Sequence, residues 1–228
     1  IQLALASLLR SRGSPALADA IYRRVSQLPG PWQSAAKQES WLSTPGILPP
    51  AHVAACKLSA RRPTLDALLS ETCWQRTSEL PLDPGSSRRL QPDHSFAMVA
   101  ADSEHLYLSA SLFRRYRTGE RTVARASRRF DETQSGIDRV TFFIDTDRDY
   151  TLGYQLTVDH RGLVSERCGA DHSWNPRCFV AVAGDQQSWR LELAIPWTEL
   201  ASSQPRAGQH WGLRIVRTIP SHGWETWG

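Results

Sequence analysis

The chain has 228 residues, of which 40% are hydrophobic and 22% charged; that balance fits an ordinary globular protein of one large domain, or one medium domain with an appendage. No apolar run approaches a membrane span. The formal charge of +4 rests almost entirely on arginine, Lys37 and Lys57 being the only lysines, and no nucleic-acid-binding module accompanies it, so a nucleic-acid partner is not expected.

The opening IQLALASLL is apolar but lacks a basic n-region, an initiator Met and a following cleavage site, which argues against a signal peptide; Ile1 is expected to be an internal residue of a longer chain. Residues 1–43 carry the helical period. In SPALADAIYRRVSQLPG, Ser14 suits an N-cap and Pro15 a first turn; Leu17, Ile21 and Val25 recur at helical spacing while Arg23 and Arg24 face away. PWQSAAKQESWL predicts a second helix with Trp32, Ala36 and either Glu39 or Trp41 on one side. The pair resembles a single tetratricopeptide-like hairpin, and one such repeat cannot bury its own face: it either ends an array or packs on the domain C-terminal to it.

STPGILPP (43–50) is a linker, and we divide the chain into a helical hairpin with linker over 1–48 and a second domain over 49–228. Beyond about residue 90 the period becomes two. HSFAMVAADSEHLYLSASLF predicts two strands joined at Asp102, Ser103 and Glu104, and RRYRTGERTVARASRR (114–129), with seven Arg against one Glu, reads as a solvated loop or strand face, the alternative being a block that binds phosphates or acidic polymers. Further strands are expected at RVTFFID (139–145), GYQLTVD (153–159), CFVAVA (178–183), SWRLELAI (188–195) and WGLRIVRT (211–218). Short strands at this spacing, with no helices between them, indicate a mainly β fold: an antiparallel two-sheet sandwich, jelly-roll or immunoglobulin-like, behind a short N-terminal helical hairpin.

Cys56, Cys73, Cys168 and Cys178 form two sequence-local pairs without a CxxC, which disfavours a zinc knuckle. The spacing suits local disulfides in an exported protein, Cys168–Cys178 above all, or four reduced thiols in a cytosolic one. Export, to an extracellular or periplasmic location, is the preferred reading.

Five segments in order resemble carbohydrate-binding module family 9. PTLDALLSETCWQRT (63–77) is similar to its opening signature, AADSEHLYLSASL to its next hairpin, and RVTFFIDTDRDYTLGYQLTVDHRGLVSE to its long central hairpin with an Asp-rich turn. SWNPRCFVAVAGDQQSWRLELAIPWTEL and WGLRIVRTIP are similar to its Ser-Trp-Asn loop and late strand. The resemblance covers roughly 63–228 and implies a sugar held between aromatic rings, often with structural calcium. Three departures stand out: Ala67 replaces the usual Gly after Asp66, residues 114–130 are long and arginine-rich, and the sequence ends soon after Trp227, where the family has one more edge strand, so that strand is expected either upstream or in sequence beyond this chain.

Trp74, Trp189, Trp197 and Trp211 read as packing residues. Trp174 differs because it sits in RCGADHSWNPRC (167–178) among polar neighbours. An uncharged sugar is recognised by an aromatic face against its C–H groups and by hydrogen bonds around its edge. Trp174 offers the first, and Asp171, His172 and Asn175 the second, although the ring can equally fold back over its hairpin. A second ring is sought at Trp224, Trp227 or Tyr116, and Arg217 either reaches a hydroxyl or carboxylate or pairs with an acidic neighbour. Asp145, Asp147 and Asp149 alternate as calcium ligands do, or simply build a hydrogen-bonded turn; Tyr150 and Leu156 stand where an EF-hand loop has Gly and Glu. There is no GxSxG and no HExxH, and Met98, the only Met, reads as packing instead of a haem ligand. The expected function is therefore non-catalytic: a module binding a xylan- or cellulose-like polysaccharide or oligosaccharide, at chain ends if the family's habit holds. The alternative is a structural or protein-interaction sandwich of a larger exported protein that has lost sugar binding.

Overall fold

The computed structural model describes residues 2–44, 48–84, 94–114, 136–151, 153–201 and 204–228; Tyr116 and nearly all of the arginine-rich segment lie outside the described residues. Three helices come first, α1 (Gln2–Ser11), α2 (Pro15–Gln27) and α3 (Gln33–Leu42). β1 (Lys57–Leu58), α4 (Thr72–Gln75), β2 (Leu80–Pro81), β3 (Phe96–Ala101), β4 (His105–Phe113), β5 (Arg139–Asp145), β6 (Tyr154–Asp159) and β7 (Val164–Cys168) come next. The chain continues with β8 (Phe179–Gly184), β9 (Ser188–Pro196), α5 (Trp197–Leu200), β10 (Gly212–Ile219) and β11 (Gly223–Trp227). Among the described residues the strands form two sheets, one ordered β1-β3-β4-β9-β8 with β2 also on β3, the other β11-β10-β5-β6-β7. All pairings are antiparallel except the short β1–β3 contact.

The expected two-sheet sandwich is present, and alternation explains it. Leu106, Leu108, Ala110 and Leu112 of β4 and Trp189, Leu191, Leu193 and Ile195 of β9 face Val140, Phe142 and Ile144 of β5 and Leu156 and Val158 of β6 in one buried core. The β3–β4 hairpin turns where expected: Asp102 Oδ1 accepts the backbone N–H groups of Glu104 and His105, both at 2.7 Å, and Trp197 donates its indole N–H to Asp102 O at 3.0 Å. Gly223–Trp227 supplies the last edge strand, bridged on its open side by Asp83.

Trp74 is buried, as expected, but on the outer face of the larger sheet, with Met98, Ala100, Tyr107 and Ala194. Glu192, fully buried, organises that cover: it accepts from Asp66 N at 2.8 Å, Ala67 N at 2.7 Å and Trp74 Nε1 at 2.6 Å. Ala67 takes φ 60°, so the left-handed turn that a glycine would relax is kept here by an alanine.

The helical unit contains one helix more than the hairpin expected. Its stripe is also shifted: α2 buries Ala18, Tyr22 and Val25 and leaves Leu17 59% exposed. Tyr22 lies inward because its hydroxyl accepts from Arg10 at 3.0 Å. The unit packs on the Asp-rich turn after β5. Glu39, buried in α3, receives hydrogen bonds from Arg10, from Arg148 Nε at 2.9 Å and from the Tyr150 hydroxyl at 2.9 Å, while Ser7 and Arg10 donate to Asp147 O. No disulfide joins the cysteines: Cys168 ends β7 in one sheet and Cys178, buried, precedes β8 in the other, so sequence proximity does not make them partners. No described helix is long and apolar enough to cross a membrane.

One buried ion group joins the sheets. Arg217 of β10, 1% exposed, donates Nε and Nη2 to Asp138 at 3.0 and 2.7 Å, and Nη1 to Ser95 Oγ, Phe113 O and Glu225. Arg217→Ala leaves Asp138 and Glu225 in the interior without their shared cation and is expected to cost about 3–5 kcal/mol, measured as a lower urea midpoint with two-state unfolding retained.

Candidate functional site

The loop after β7 is built by its small and polar residues. Gly169 takes φ 58° and donates to Gly153 O at 2.9 Å, and Cys168 and Asp171 exchange backbone hydrogen bonds, so the chain doubles back at once. Asp171 Oδ1 accepts from Ser173 Oγ at 2.6 Å and Ser173 N at 2.8 Å; those two bonds hold its carboxyl below the ordinary range. Asp171, His172, Ser173 and Asn175 are exposed, Pro176 and Cys178 are buried, and Trp174 between them is half-buried. Its ring packs against the core and against Tyr154, centroids 4.8 Å apart and planes at 46°.

Beside this loop, on the outer face of the smaller sheet, lies an open depression of about 490 Å³ lined by Gln155, Ser165, Glu166, Arg167 and His172. Trp174 is two residues from His172 but not part of the lining. A hydrogen-bonded line crosses this face: Thr141 Oγ1 to Thr157 Oγ1 at 3.1 Å, Gln155 Nε2 to Thr157 Oγ1 at 3.4 Å, and Arg167 Nε to Gln155 Oε1 at 2.8 Å. Sequence reading did not single out Gln155, Ser165 or Arg167; strand parity does place all three on the solvent side, together with Phe143, and that was the available signal.

The other proposed residues lie elsewhere. Arg217 is a correction: it points inward, and its donors are consumed by the buried group described above. Trp224 is 64% exposed but stands on β11, the strand at the opposite edge from β7; four strand spacings, about 19 Å, separate those edges, too far for Trp224 and Trp174 to grip one pyranose. Trp227 is buried against the core and near His52. Tyr154 is the ring that meets Trp174, directly and without a gap between them.

Asp145, Asp147 and Asp149 do come together, with one carboxylate oxygen of each within 4.8 Å of the others. They also cap their own turn: Asp145 accepts from Arg148 N and Tyr150 N, Asp147 from Asp149 N, and Asp149 from Thr151. Arg148, φ 54°, and Tyr150, φ 61°, are left-handed, which turns their side chains to Glu39 and away from the carboxylates. Burial, and then the Asp147 carboxyl beside it, push Asp145 up to about 6.

No protein-family profile matches the chain, and no curated protein does. Solved structures that share the fold include two carbohydrate-binding modules. One is a family 9 carbohydrate-binding module from Caldicellulosiruptor kristjanssonii in complex with cellotriose, 14% identical, with TM-score 0.53 over 75% of this chain and 83% of that one. The other is a family 9 module from the same organism in complex with glucose, 15% identical, with TM-score 0.54 over 75% and 84%.

The Asp145 shift fixes a sign. Folded Asp145 holds its proton more tightly than the unfolded chain, so in cation-free buffer it favours folding below its ordinary 3.8 and that contribution is lost as pH rises through about 6. Asp145→Asn, which cannot ionise, should gain on the parent by a few degrees of Tm between about pH 4 and pH 7, read by thermal unfolding of both proteins in chelator.

Proposed function

We propose that this chain is a non-catalytic saccharide-binding module of an exported protein. The observation that carries this reading is the 169–178 loop, which holds a half-buried Trp174 two residues from His172, itself part of the lining of an open depression made of polar side chains. The ring offers an aromatic surface for the C–H groups of a pyranose; His172, Asn175 and Asp171 from the loop, with Gln155 and Ser165 from the sheet, offer donors and acceptors for hydroxyls. Because the sheet positions Gln155 and Ser165 and the short loop positions the rest, the site needs little reorganisation to bind, which lowers the entropic cost of a weak, polar ligand. The fold shared with modules solved in complex with cellotriose and glucose supports the same reading, and xylan- and cellulose-derived oligosaccharides are the ligands to try first.

Calcium belongs to this proposal as a structural ion. Three carboxylates drawn together suit a hard cation, which wants several oxygens and no nitrogen or sulfur, and Asp145 is raised by burial first and then by the Asp147 carboxyl beside it. Asp145, Asp147 and Asp149 would hold it and lock the turn.

Calorimetric titration with xylotriose and cellotriose should give saturable binding, weakened about tenfold or more by Trp174→Ala, a variant that loses its packing on Tyr154 and melts lower but stays folded at the titration temperature. A chain that binds neither sugar, while folded, is instead a structural or protein-interaction sandwich. For the ion, added calcium at pH 7.5 should raise Tm in the parent and leave Asp145→Asn unmoved; an unmoved parent would remove calcium from the proposal.

A further inference from the structure

Two exposed arginines stand on the sheet face that carries the depression, one of them in its lining, and they bear on which saccharide it takes. Arg214, Phe143, Gln155 and Arg167 form one row across the outer face of the smaller sheet, each the registered partner of the next on β10, β5, β6 and β7. Phe143 is 36% exposed, and both arginines are exposed. Neither Arg167 nor Arg214 has an ion-pair partner among the described residues, although the chain has carboxylates nearby. Asp159 is taken by Arg161 at 2.7 Å, Asp171 accepts from Ser173, and Glu166, which also lines the depression, is buried.

Arg167 is also held in place. Its Nε is bound to Gln155 Oε1, and Gln155 is fixed in turn by Thr157. That leaves the end of the guanidinium, its two NH₂ groups, open over the depression, the edge that meets a planar carboxylate with two parallel hydrogen bonds. A guanidinium held ready in a sugar-sized depression gains most from a carboxylate, which accepts two parallel charge-assisted hydrogen bonds where an uncharged hydroxyl accepts one.

We propose that the ligand is an acidic saccharide bearing uronic-acid carboxylates, lying across the strands with one carboxylate on Arg167, its apolar face over Phe143 and a further carboxylate directed toward Arg214. The arginines lie three strand spacings apart, about 14 Å, so the site spans several sugar units. This rests on the saccharide-binding reading above and narrows it.

The test uses the whole chain and three probes: trigalacturonate, its methyl ester and xylotriose, each titrated against the parent and against Arg167→Gln and Phe143→Ala. Trigalacturonate should bind about tenfold or more tighter than its ester. Arg167→Gln should bring the ratio of acid to ester affinity down to about one, whatever it does to both affinities together, and added salt should weaken the acid form alone. Equal binding of acid, ester and xylotriose by the parent would overturn the acidic-ligand proposal and leave saccharide binding standing; no binding of any probe would remove both. A sulfated xylo-oligosaccharide bound more tightly than trigalacturonate would overturn the assignment to carboxylates.

Discussion

The sandwich depends on the bidentate pair between Arg217 and Asp138. Hydrophobic faces bring two sheets together but leave them free to slide, since apolar contact has no direction. The guanidinium removes that freedom. From β10 it binds Asp138 at the start of β5, Ser95 before β3, Phe113 O at the end of β4 and Glu225 on β11, and the Trp189 indole of β9 donates to the same Asp138 at 2.9 Å. Segments from both sheets are therefore fixed at one point. Asp138 and Glu225, beside the cation, keep it protonated despite its burial. A buried charge needs its full set of partners to be tolerated, and here Nε and both terminal nitrogens of the guanidinium are engaged.

A second buried carboxylate works on the outside of the larger sheet. Glu192 projects away from the sandwich core, where an exposed glutamate would be unremarked, but the 63–77 segment folds over it and gives it three N–H donors. Burial raises its pKa and those donors oppose the rise. Among the described residues this cover hides Met98, Ala100, Tyr107 and Ala194 on the larger sheet, while the depression and the row that includes Arg214 and Arg167 lie on the outer face of the smaller one.

Alternation made much of this fold legible. β3 to β6 and β8 to β10 fall within a residue or so of the expected strands because each alternates over at least six residues against a single core. β7 went unrecognised because it buries Glu166 and exposes Arg167, which inverts the usual sign of the pattern. β1 and β2, two residues each, carry no period. β11 alternates correctly, with Glu225 and Trp227 inward, but the buried glutamate hid it and its tryptophans read as ligand rings. The site was half legible. The loop around Trp174 announced itself by composition. Gln155, Ser165 and Arg167 did not, because a polar residue on the solvent side of a strand looks the same whether or not a depression lies above it. Arg217 misled for the opposite reason: nothing in a sequence distinguishes an arginine that reaches out of a strand end from one that points inward to acids distant along the chain.

The Asp-rich turn sends alternate residues to opposite sides: Asp145, Asp147 and Asp149 gather on one, and Arg148 and Tyr150 reach Glu39 of the helices on the other. Surface turns ordinarily absorb insertions and deletions with little consequence. In this one, adding or removing a single residue would exchange the two sets, presenting carboxylates to Glu39 and an arginine to the acidic cluster. The spacing of DTDRDY is thus held by two neighbours at once, and drift in its length is closed to the chain even where drift in the identity of its residues is not.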